Sequence, residues 1–259
     1  MRGLPGLATE SLGRFYLHLD TVGSTNDYLK ENAHLLPHGA AVTASRQTMG
    51  KGRMGKTWNG ERDRGLALSV LLHHWKPQEL SLLPLLAGIA VCRGIRRLCG
   101  AQCGVKWSND ILLEDRKLCG ILCESQIQPS GDGFAVVGMG VNLLQTGEEF
   151  SRLGLVYATS LFLATKKSYA AADAAAAILN QLEPLLEQFS ASGFAPLRAE
   201  YRSLCVTLGR QVRVVCQGGE QVGAALDIAD DGSLLCNIGG KILPISAGEA
   251  SVRGLYGYA

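Results

Sequence analysis

The chain has 259 residues, of which 47% are hydrophobic and 19% charged, with 25 basic and 23 acidic residues. This composition excludes intrinsic disorder, and the near balance of charge excludes a protein that is basic over its whole surface, such as an architectural nucleic-acid binder. The length suits one large domain, or a large and a small one. No apolar run reaches the ~20 residues of a membrane span, and the N-terminus has no secretory pattern, so we expect a cytoplasmic protein with reduced thiols.

The first part of the chain alternates strand and helix patterns. Alternating apolar residues predict a strand over residues 15–20, and helical spacing then predicts a helix that Ser24 or Thr25 caps and Pro37 ends. A Gly- and Arg-rich loop is expected over residues 48–65. Further strands are expected over residues 40–44, 66–72, 111–113, 117–125 and 134–142 and near Val105, and further helices over residues 80–99, 168–190 (kinked at Pro184) and 194–204.

The pattern changes after about Thr207, where short strand-like segments are separated by turn residues. Asp-Asp-Gly at residues 230–232 and Gly-Gly at residues 239–240 suit hairpin turns. The predicted strands cover residues 210–215, 221–228, 233–238 and 241–245. We therefore predict an α/β domain over residues 1–206 and a small SH3-like β-barrel over residues 207–259.

The most informative local feature is the segment GKGRMGKTW at residues 50–58. From Arg46 to Arg64 there are six basic and two acidic residues, so this window has a charge of +4 and the rest of the chain −2. Glycines let backbone N–H groups approach a ligand closely, and with the positive charge they suit a polyphosphate. The alternative is a solvated turn, which Trp58 disfavours because an indole can stack on a base.

The same segment matches the P-loop pattern G-x4-G-K-[ST] letter for letter. A P-loop must begin a helix, whose N-terminal amides complete the phosphate site. Residues 59–65 (NGERDRG) are a poor helix start, and the next segment predicts a strand. We therefore interpret the match as accidental. A P-loop nucleotide kinase, the first alternative function, requires a helix directly after Thr57.

Four shorter motifs contribute further polar or glycine-rich positions. They are GSTN at residues 23–26, KWSND at 106–110, KLCGIL at 117–122 and GMGVN at 138–142. The first could hydrogen-bond a polar ring or simply cap a helix. Lys117 lies in an apolar segment, where its ammonium group is costly to desolvate unless it meets an anion or reaches water. The glycines before Asn142 let a ligand lie against a strand, but they lack the third glycine of a dinucleotide fingerprint.

Two cysteine pairs suggest a different chemistry. Cys99 and Cys103, with Cys119 and Cys123, could be four zinc ligands. Zinc spacing is often tighter than these three-residue gaps, and the second pair lies in an apolar, strand-like run. We therefore favour buried thiols over a zinc site.

Taken together and in this order, the motifs resemble those of the biotin protein ligases (biotin–acetyl-CoA-carboxylase ligases). The family pattern is S-T-N, then G-R-G-R-x-G-R-x-W, then K-W-P-N-D, then K-x-x-G-I-L, then G-x-G-x-N. Five ordered motifs are far more specific than any one of them, and the resemblance spans about residues 15–259. It implies an α/β (α+β) catalytic domain, with a mixed β-sheet packed by helices, and a small C-terminal SH3-like β-barrel.

The resemblance also implies a reaction with ATP and Mg²⁺, with biotin as substrate. The biotin carboxylate attacks the α-phosphorus of ATP, giving biotinyl-5′-AMP and pyrophosphate, and a lysine of the biotin carboxyl carrier protein then displaces AMP. The resemblance leaves the oligomeric state open, with a homodimer as the form that the family often takes, and no nucleic-acid or membrane partner is expected. Because only about 14 residues precede the first strand, too few for a helix-turn-helix, we expect a monofunctional ligase rather than a repressor.

The resemblance gives each matching position an expected role, and some positions have more than one. The expected biotin-binding residues are Ser24, Thr25, Asn26, Gln47, Lys51, Gly52, Arg53, Lys117 and Gly120. The expected ATP-binding residues are Arg53, Trp58, Lys106, Asn109, Lys117 and Asn142. The expected catalytic residues are Lys117, Arg53 and Asp110, and Asp110 is also the candidate metal ligand.

The chain departs from the family pattern at three positions. Lys51 and Lys56 stand where the family has Arg, which keeps the charge but loses bidentate recognition. Ser108 replaces the usual Pro, so we expect a looser turn there. Lipoate ligases share the architecture, but the Gly-Arg loop and the SH3-like domain favour biotin. The alternative outside enzymes is a nucleic-acid-binding module, which would need a broad basic face.

Overall fold

The structure is a computed structural model that describes residues 3–58, 60–127, 133–216, 219–247 and 251–254. Seven of its strands form the larger sheet: β1 (Tyr16–Val22), β2 (Ala41–Gln47), β3 (Gly65–His73), β4 (Gly104–Lys106), β5 (Asp110–Leu113), β6 (Arg116–Ile127) and β7 (Gly133–Asn142). Their order is β1-β2-β3-β7-β6-β5-β4. The sheet is mixed, because β1 and β2 are parallel and the other neighbours antiparallel.

Helices cover both faces of this sheet. In the described residues they are α1 (Thr25–Glu31), α2 (Leu83–Cys99), α3 (Gly147–Arg152), α4 (Leu161–Thr165), α5 (Ala171–Ser192) and α6 (Ala195–Leu204). Along β3, Leu68 and Val70 share a core with α2 and α5, whereas Leu71 packs with Leu29 of α1. Since side chains alternate along a strand, α1 lies on the opposite face from α2 and α5. None of these helices is long and apolar enough to cross a bilayer.

The smaller sheet follows in the C-terminal part of the chain. Its strands are β8 (Gln211–Cys216), β9 (Gly219–Ile228), β10 (Leu234–Ile238), β11 (Lys241–Ile245) and β12 (Ser251–Gly254), in the antiparallel order β11-β10-β9-β8-β12. Leu234 and Ile228 belong to the same buried cluster as Leu85 of α2. Trp107 also donates its indole N–H to the Gly232 carbonyl, at 3.0 Å. The predicted fold class is confirmed, while the boundary between residues 206 and 207 stays a prediction.

One helix is shorter than predicted. The structure ends α1 at Glu31 and follows it with a short 3₁₀ turn over Ala33–Leu35, so the predicted extension to Pro37 is wrong. Asn32 explains the end, because its side-chain amide donates to the Tyr28 carbonyl at 2.8 Å, alongside its own backbone N–H. An asparagine that bonds the preceding turn in this way competes with continued helix.

Two other helices were not predicted at all, and a third was predicted with a kink. α3 and α4 have six and five residues, too few to show a periodicity. α3 nevertheless begins at a capping box formed by Thr146 and Glu149, a signal present in the sequence. α5 continues through Pro184 as one helix.

Candidate active site

Every residue that the motifs predict for the site lines one cavity of about 800 Å³. The cavity lies on the face of the larger sheet that α1 partly covers, since Gly138, Gly140 and Asn142 follow Phe134 and Val136 at period two on β7. The predicted residues that it brings together are Ser24, Thr25, Asn26, Gln47, Lys51, Gly52, Arg53, Trp58, Lys106, Asn109, Asp110, Lys117, Gly120 and Asn142.

One end of the cavity is built from buried, uncharged polar side chains. Ser24 caps α1. Thr25 donates its backbone N–H to the Gln47 side-chain oxygen at 2.8 Å, and its hydroxyl lies 3.0 Å from the same oxygen. Ser69, which is fully buried on β3, joins Thr25 at 2.7 Å and Asn26 at 2.6 Å. This end can therefore recognise a small polar group without any net charge.

The glycine-rich loop folds back on itself. Lys51 and Thr57 form an antiparallel bridge, and the Gly52 N–H donates to the Lys56 carbonyl at 2.7 Å. A Cβ at Gly50 would lie 2.4 Å from the Trp58 carbonyl oxygen, so a side chain is excluded at that crossing. In the described residues that follow, 60–64 make a turn and β3 begins, with no helix. The P-loop alternative therefore fails.

Arg53 points from this loop into the wall of the cavity. Its guanidinium donates to the Ser108 hydroxyl at 2.9 Å, to the Asn109 side-chain oxygen at 2.7 Å and to the Ala247 carbonyl of the C-terminal part. Burial lowers the pKa of Arg53, and the nearby charge of Asp110 opposes that shift. Ser108 is buried, and its hydroxyl gives Arg53 an acceptor that the proline of the family pattern lacks.

A short ion pair connects β5 and β6. The Lys117 ammonium lies 2.6 Å from an Asp110 carboxylate oxygen, and both side chains are partly buried. Asp110 is the one carboxylate among the described residues that line the cavity. The Lys117 ammonium also lies 5.7 Å from the centre of the Trp58 ring. Such a pair holds a positive charge over the cavity while keeping it compensated until an anion arrives.

Trp58 lies flat on a stretch of sheet that has no side chains. Gly120 of β6 and Gly140 of β7 are register partners. A Cβ at Gly140 would lie 2.4 Å from the Trp58 ring, and one at Gly120 would lie 2.9 Å from it. The two glycines are thus required by close approach, and the floor they make accepts a flat ring.

Lys106 and Asn142 occupy more enclosed positions than the other predicted nucleotide residues. Both are buried. The Asn142 amide donates to the Thr159 carbonyl at 3.0 Å, and its oxygen accepts from Gln145 at 3.3 Å. The structure therefore gives Asn142 a bracing role beside β7 and leaves direct contact with a nucleotide as a prediction.

Sequence reasoning missed several residues around the cavity. Ser69 could have been found, because a serine interrupts the apolar strand LALSVLL. Arg213 of β8 and residues 153–158 also line the cavity, but they reach it only through tertiary packing. Glu124 is a further omission; it sits behind the polar end and accepts a hydrogen bond from Asn26.

The described residues contain no group of three or more His, Cys, Asp or Glu side chains arranged to hold a metal ion. Three of the four thiols that the zinc alternative would use are desolvated. Burial raises the pKa of Cys103 to about 12, and burial likewise raises the pKa of Cys119 and Cys123. Thiols with raised pKa values are poor nucleophiles near neutral pH.

Comparisons with known proteins agree with this site. Residues 19–142 match the Biotin/lipoate A/B protein ligase family, and residues 207–253 match the biotin protein ligase C-terminal domain. The chain is 35% identical to the biotin–[acetyl-CoA-carboxylase] ligase of Mycobacterium tuberculosis, over 92% of this chain and 90% of that protein. It is 33% identical to the bifunctional ligase/repressor BirA of Bacillus subtilis, over 89% of this chain and 71% of that one.

A solved structure is similar as well. The biotin protein ligase from Aquifex aeolicus in complex with biotin and ATP superposes with a TM-score of 0.79 and 28% identity, over 93% of this chain and 99% of that one. The family resemblance of the motifs, the fold and the expectation of a ligase are thereby confirmed. The chain belongs to the biotin protein ligase family.

Proposed function

We propose that the protein is an ATP-dependent biotin protein ligase that forms biotinyl-5′-AMP and then transfers biotin to a lysine of a biotin carboxyl carrier protein. The observation that supports this most is the placement of the Lys117–Asp110 ion pair and the Arg53 guanidinium in the same cavity as the uncharged polar end at Thr25 and Gln47. The complex of the Aquifex aeolicus ligase with biotin and ATP supports it independently.

The first step brings two anions together, so it needs positive charge at the reacting centre. In this proposal Lys117 binds the biotin carboxylate and the α-phosphate, and Lys106 and Arg53, which line the same cavity, add positive charge. When an anion binds the Lys117 ammonium, it replaces Asp110 as the partner of that charge. The chain then supplies charge without a reorganisation of the backbone.

Magnesium fits this arrangement as part of the nucleotide substrate. Mg²⁺ is usually held by one or two carboxylates together with phosphate oxygens, and Asp110 is a single carboxylate in the cavity. We propose that Asp110 and the phosphates hold the ion, which neutralises phosphate charge when bound.

The remaining proposed roles concern binding and transfer. Thr25 and Gln47 bind the polar ring of biotin. Trp58 moves off Gly120 and Gly140, which frees that surface for a flat ring, and the indole then stacks on adenine. The loop with Lys51 and Gly52 closes over the intermediate, which keeps water from a reactive anhydride. Asp110 assists the acceptor lysine, which must be neutral to attack.

Titration calorimetry tests the assignment. Biotin should bind saturably to one site per chain, and MgATP added with biotin should release pyrophosphate. Lipoate and plain RNA serve as controls and should give no saturable heat. Saturable binding of lipoate but not biotin, or tight binding of RNA, would reject the proposal in favour of one of the alternatives.

The partner and assembly are proposed on the same basis. An isolated carrier-protein domain should gain biotin, measured by mass spectrometry, and a carrier with its target lysine replaced by arginine should not.

Sedimentation with and without biotin and MgATP tests the proposed homodimer. The division into residues 1–206 and 207–259 also remains a proposal.

A further inference from the structure

Among the described residues, Glu124 on β6 is the one charged side chain that hydrogen-bonds the polar end of the cavity, and no motif assigns it a role. One carboxylate oxygen lies 2.8 Å from the Asn26 amide nitrogen, and the other lies 2.5 Å from the Lys30 ammonium. Asn26 is buried, and its side chain lies against β7 so closely that a Cβ at Gly138 would come within 2.3 Å of its oxygen. The Asn26 amide is therefore held in one place, and what remains to be fixed is which way its oxygen and its NH₂ group point.

Glu124 sets that orientation, because a carboxylate only accepts hydrogen bonds. Asn26 must turn its NH₂ group towards Glu124 and the Leu122 carbonyl, which lies at 3.2 Å. Its oxygen then faces the Ser69 hydroxyl at 2.6 Å and can only accept. Ser69 has one hydroxyl proton and gives it to Asn26, so from Thr25, at 2.7 Å, it can only accept.

The assignment of donors and acceptors continues from Ser69 to the groups that face the cavity. The Thr25 hydroxyl has one proton and two protein acceptors, the oxygens of Ser69 and Gln47, so it offers a ligand only a lone pair. The Gln47 oxygen already accepts the Thr25 backbone N–H, which leaves the Gln47 NH₂ group as the donor. The polar end thus presents one acceptor beside one donor, which complements an N–H next to a C=O, as in a cyclic urea.

We propose that Glu124 is a positioning residue that fixes the direction of the hydrogen bonds through Asn26 and Ser69, so that the Thr25 hydroxyl accepts from the bound ring beside the Gln47 donor that the Thr25 backbone N–H orients. The inference rests on the proposed function, because it takes biotin as the ring. It predicts that exchanging donor and acceptor between positions 26 and 124 restores part of the binding that Asn26→Asp alone loses.

The test is a set of three variants, assayed for biotin affinity by calorimetry. Asn26→Asp sets two acceptors against each other, so we expect the Kd for biotin to rise about tenfold or more, the cost of an unmade buried hydrogen bond. Glu124→Gln removes the charge that orients Asn26 and should raise the Kd about threefold. In the double variant the introduced amide donates to the introduced carboxylate and still accepts from Lys30, but the Leu122 carbonyl then faces an oxygen. The Kd should therefore recover at least about threefold from that of Asn26→Asp without reaching the wild-type value.

Glu31→Gln is the matched control, since Glu31 is an exposed carboxylate of α1 outside this chain of hydrogen bonds. Circular dichroism and thermal unfolding of every variant show whether a loss is one of folding. Additive losses in the double variant, or an unchanged Kd for Asn26→Asp, would overturn the inference. If wild type itself fails to bind biotin, the proposed function falls instead, and the unfolding midpoints of the four proteins still decide whether the exchange between positions 26 and 124 is compensating.

Discussion

Lys117 combines a structural role of its backbone with the proposed chemical role of its side chain. Its backbone bonds both Tyr157 and Thr159, which fixes the end of β6, so the ammonium is held beside Asp110 by a rigid strand. A cation held in place before the reaction costs no reorganisation when charge develops. The position of Lys117 in the strand therefore matters as much as its charge.

We expect Lys117→Ala to abolish adenylate formation while the fold survives, because the variant loses the cation between the two reacting anions. Pyrophosphate release should fall by about 100-fold or more. Lys167→Ala, on an exposed lysine outside the cavity, should behave as wild type. Near-normal pyrophosphate release by Lys117→Ala would count against the assignment.

Arg53→Gly should leave adenylate formation measurable but increase escape of the intermediate. The substitution removes the donors that tie the loop to Ser108, Asn109 and the Ala247 carbonyl, so the loop opens more often. Rapid filtration separates free from bound biotinyl-adenylate and gives the escaped fraction. Arg62→Gly, in an exposed position outside the cavity, is the control. Tighter retention by Arg53→Gly would contradict this account.

Individual site positions were predictable, whereas their hydrogen-bond partners were not. The motif residues all reach one cavity because each motif lies at a strand end, on the α1 face of the larger sheet or in the loop between β2 and β3. Glu124 escaped prediction because it touches Asn26 across 98 positions of sequence. A contact of that kind has no periodicity, so it depends on tertiary packing.

Long apolar strands were predicted well, and short helices were not. β3 and β7 are apolar runs of nine and ten residues that are buried over most of their length. α3 and α4 are shorter than two turns, and α1 ends early because Asn32 bonds the previous turn. Hydrogen bonds from a side chain to the nearby backbone can end a helix, and hydrophobic periodicity does not reveal them.

A buried carboxylate on α5 anchors the N-terminal segment. Glu183 accepts backbone N–H groups from Glu10, Ser11 and Leu12 at 2.6 to 2.8 Å. Burial by itself would raise the pKa of Glu183, but these hydrogen bonds outweigh it and hold the pKa below its usual value of 4.5. The carboxylate form therefore stabilises the native state.

Glu183→Gln should lower the free energy of unfolding by about 1–3 kcal/mol at pH 7, since a neutral amide accepts these bonds less well. A lowered native pKa gives stability that is present above the unfolded pKa and lost as pH falls through the native one. The difference between the two proteins should therefore shrink below about pH 4.3. Urea titrations at pH 7 and below pH 4 measure it, with Glu187→Gln as control. If the difference in free energy of unfolding between wild type and Glu183→Gln grew in acid, it would contradict this role of Glu183.

At the scale of the molecule, the two sheets share a core. Leu234 of β10 is fully buried in the cluster that also contains α2, and Thr207 accepts the Trp107 backbone N–H at 2.9 Å. Composition and turn signals predicted a small module packed on the larger domain, but they describe each segment by itself and do not show which faces meet. The continuity of the core depends on which faces meet, which no local pattern encodes.

We expect wild type to unfold in one calorimetric transition as a result. Leu234→Ala should lower the free energy of unfolding by about 2–5 kcal/mol and keep a single transition, because the cavity it leaves belongs to both sheets. Leu226→Ala, at an exposed position of β9, should change it little. Two resolved transitions in the wild-type thermogram would show that the sheets unfold independently.

The indole resting on Gly120 and Gly140 has a practical consequence. Any molecule that settles on that bare floor must change the surroundings of Trp58, including its 5.7 Å distance to the Lys117 ammonium. Intrinsic emission should then report occupancy without a label, and the signal missing from Trp58→Phe separates it from the background of Trp75 and Trp107. Compound libraries could be screened by optical titration of the unmodified protein.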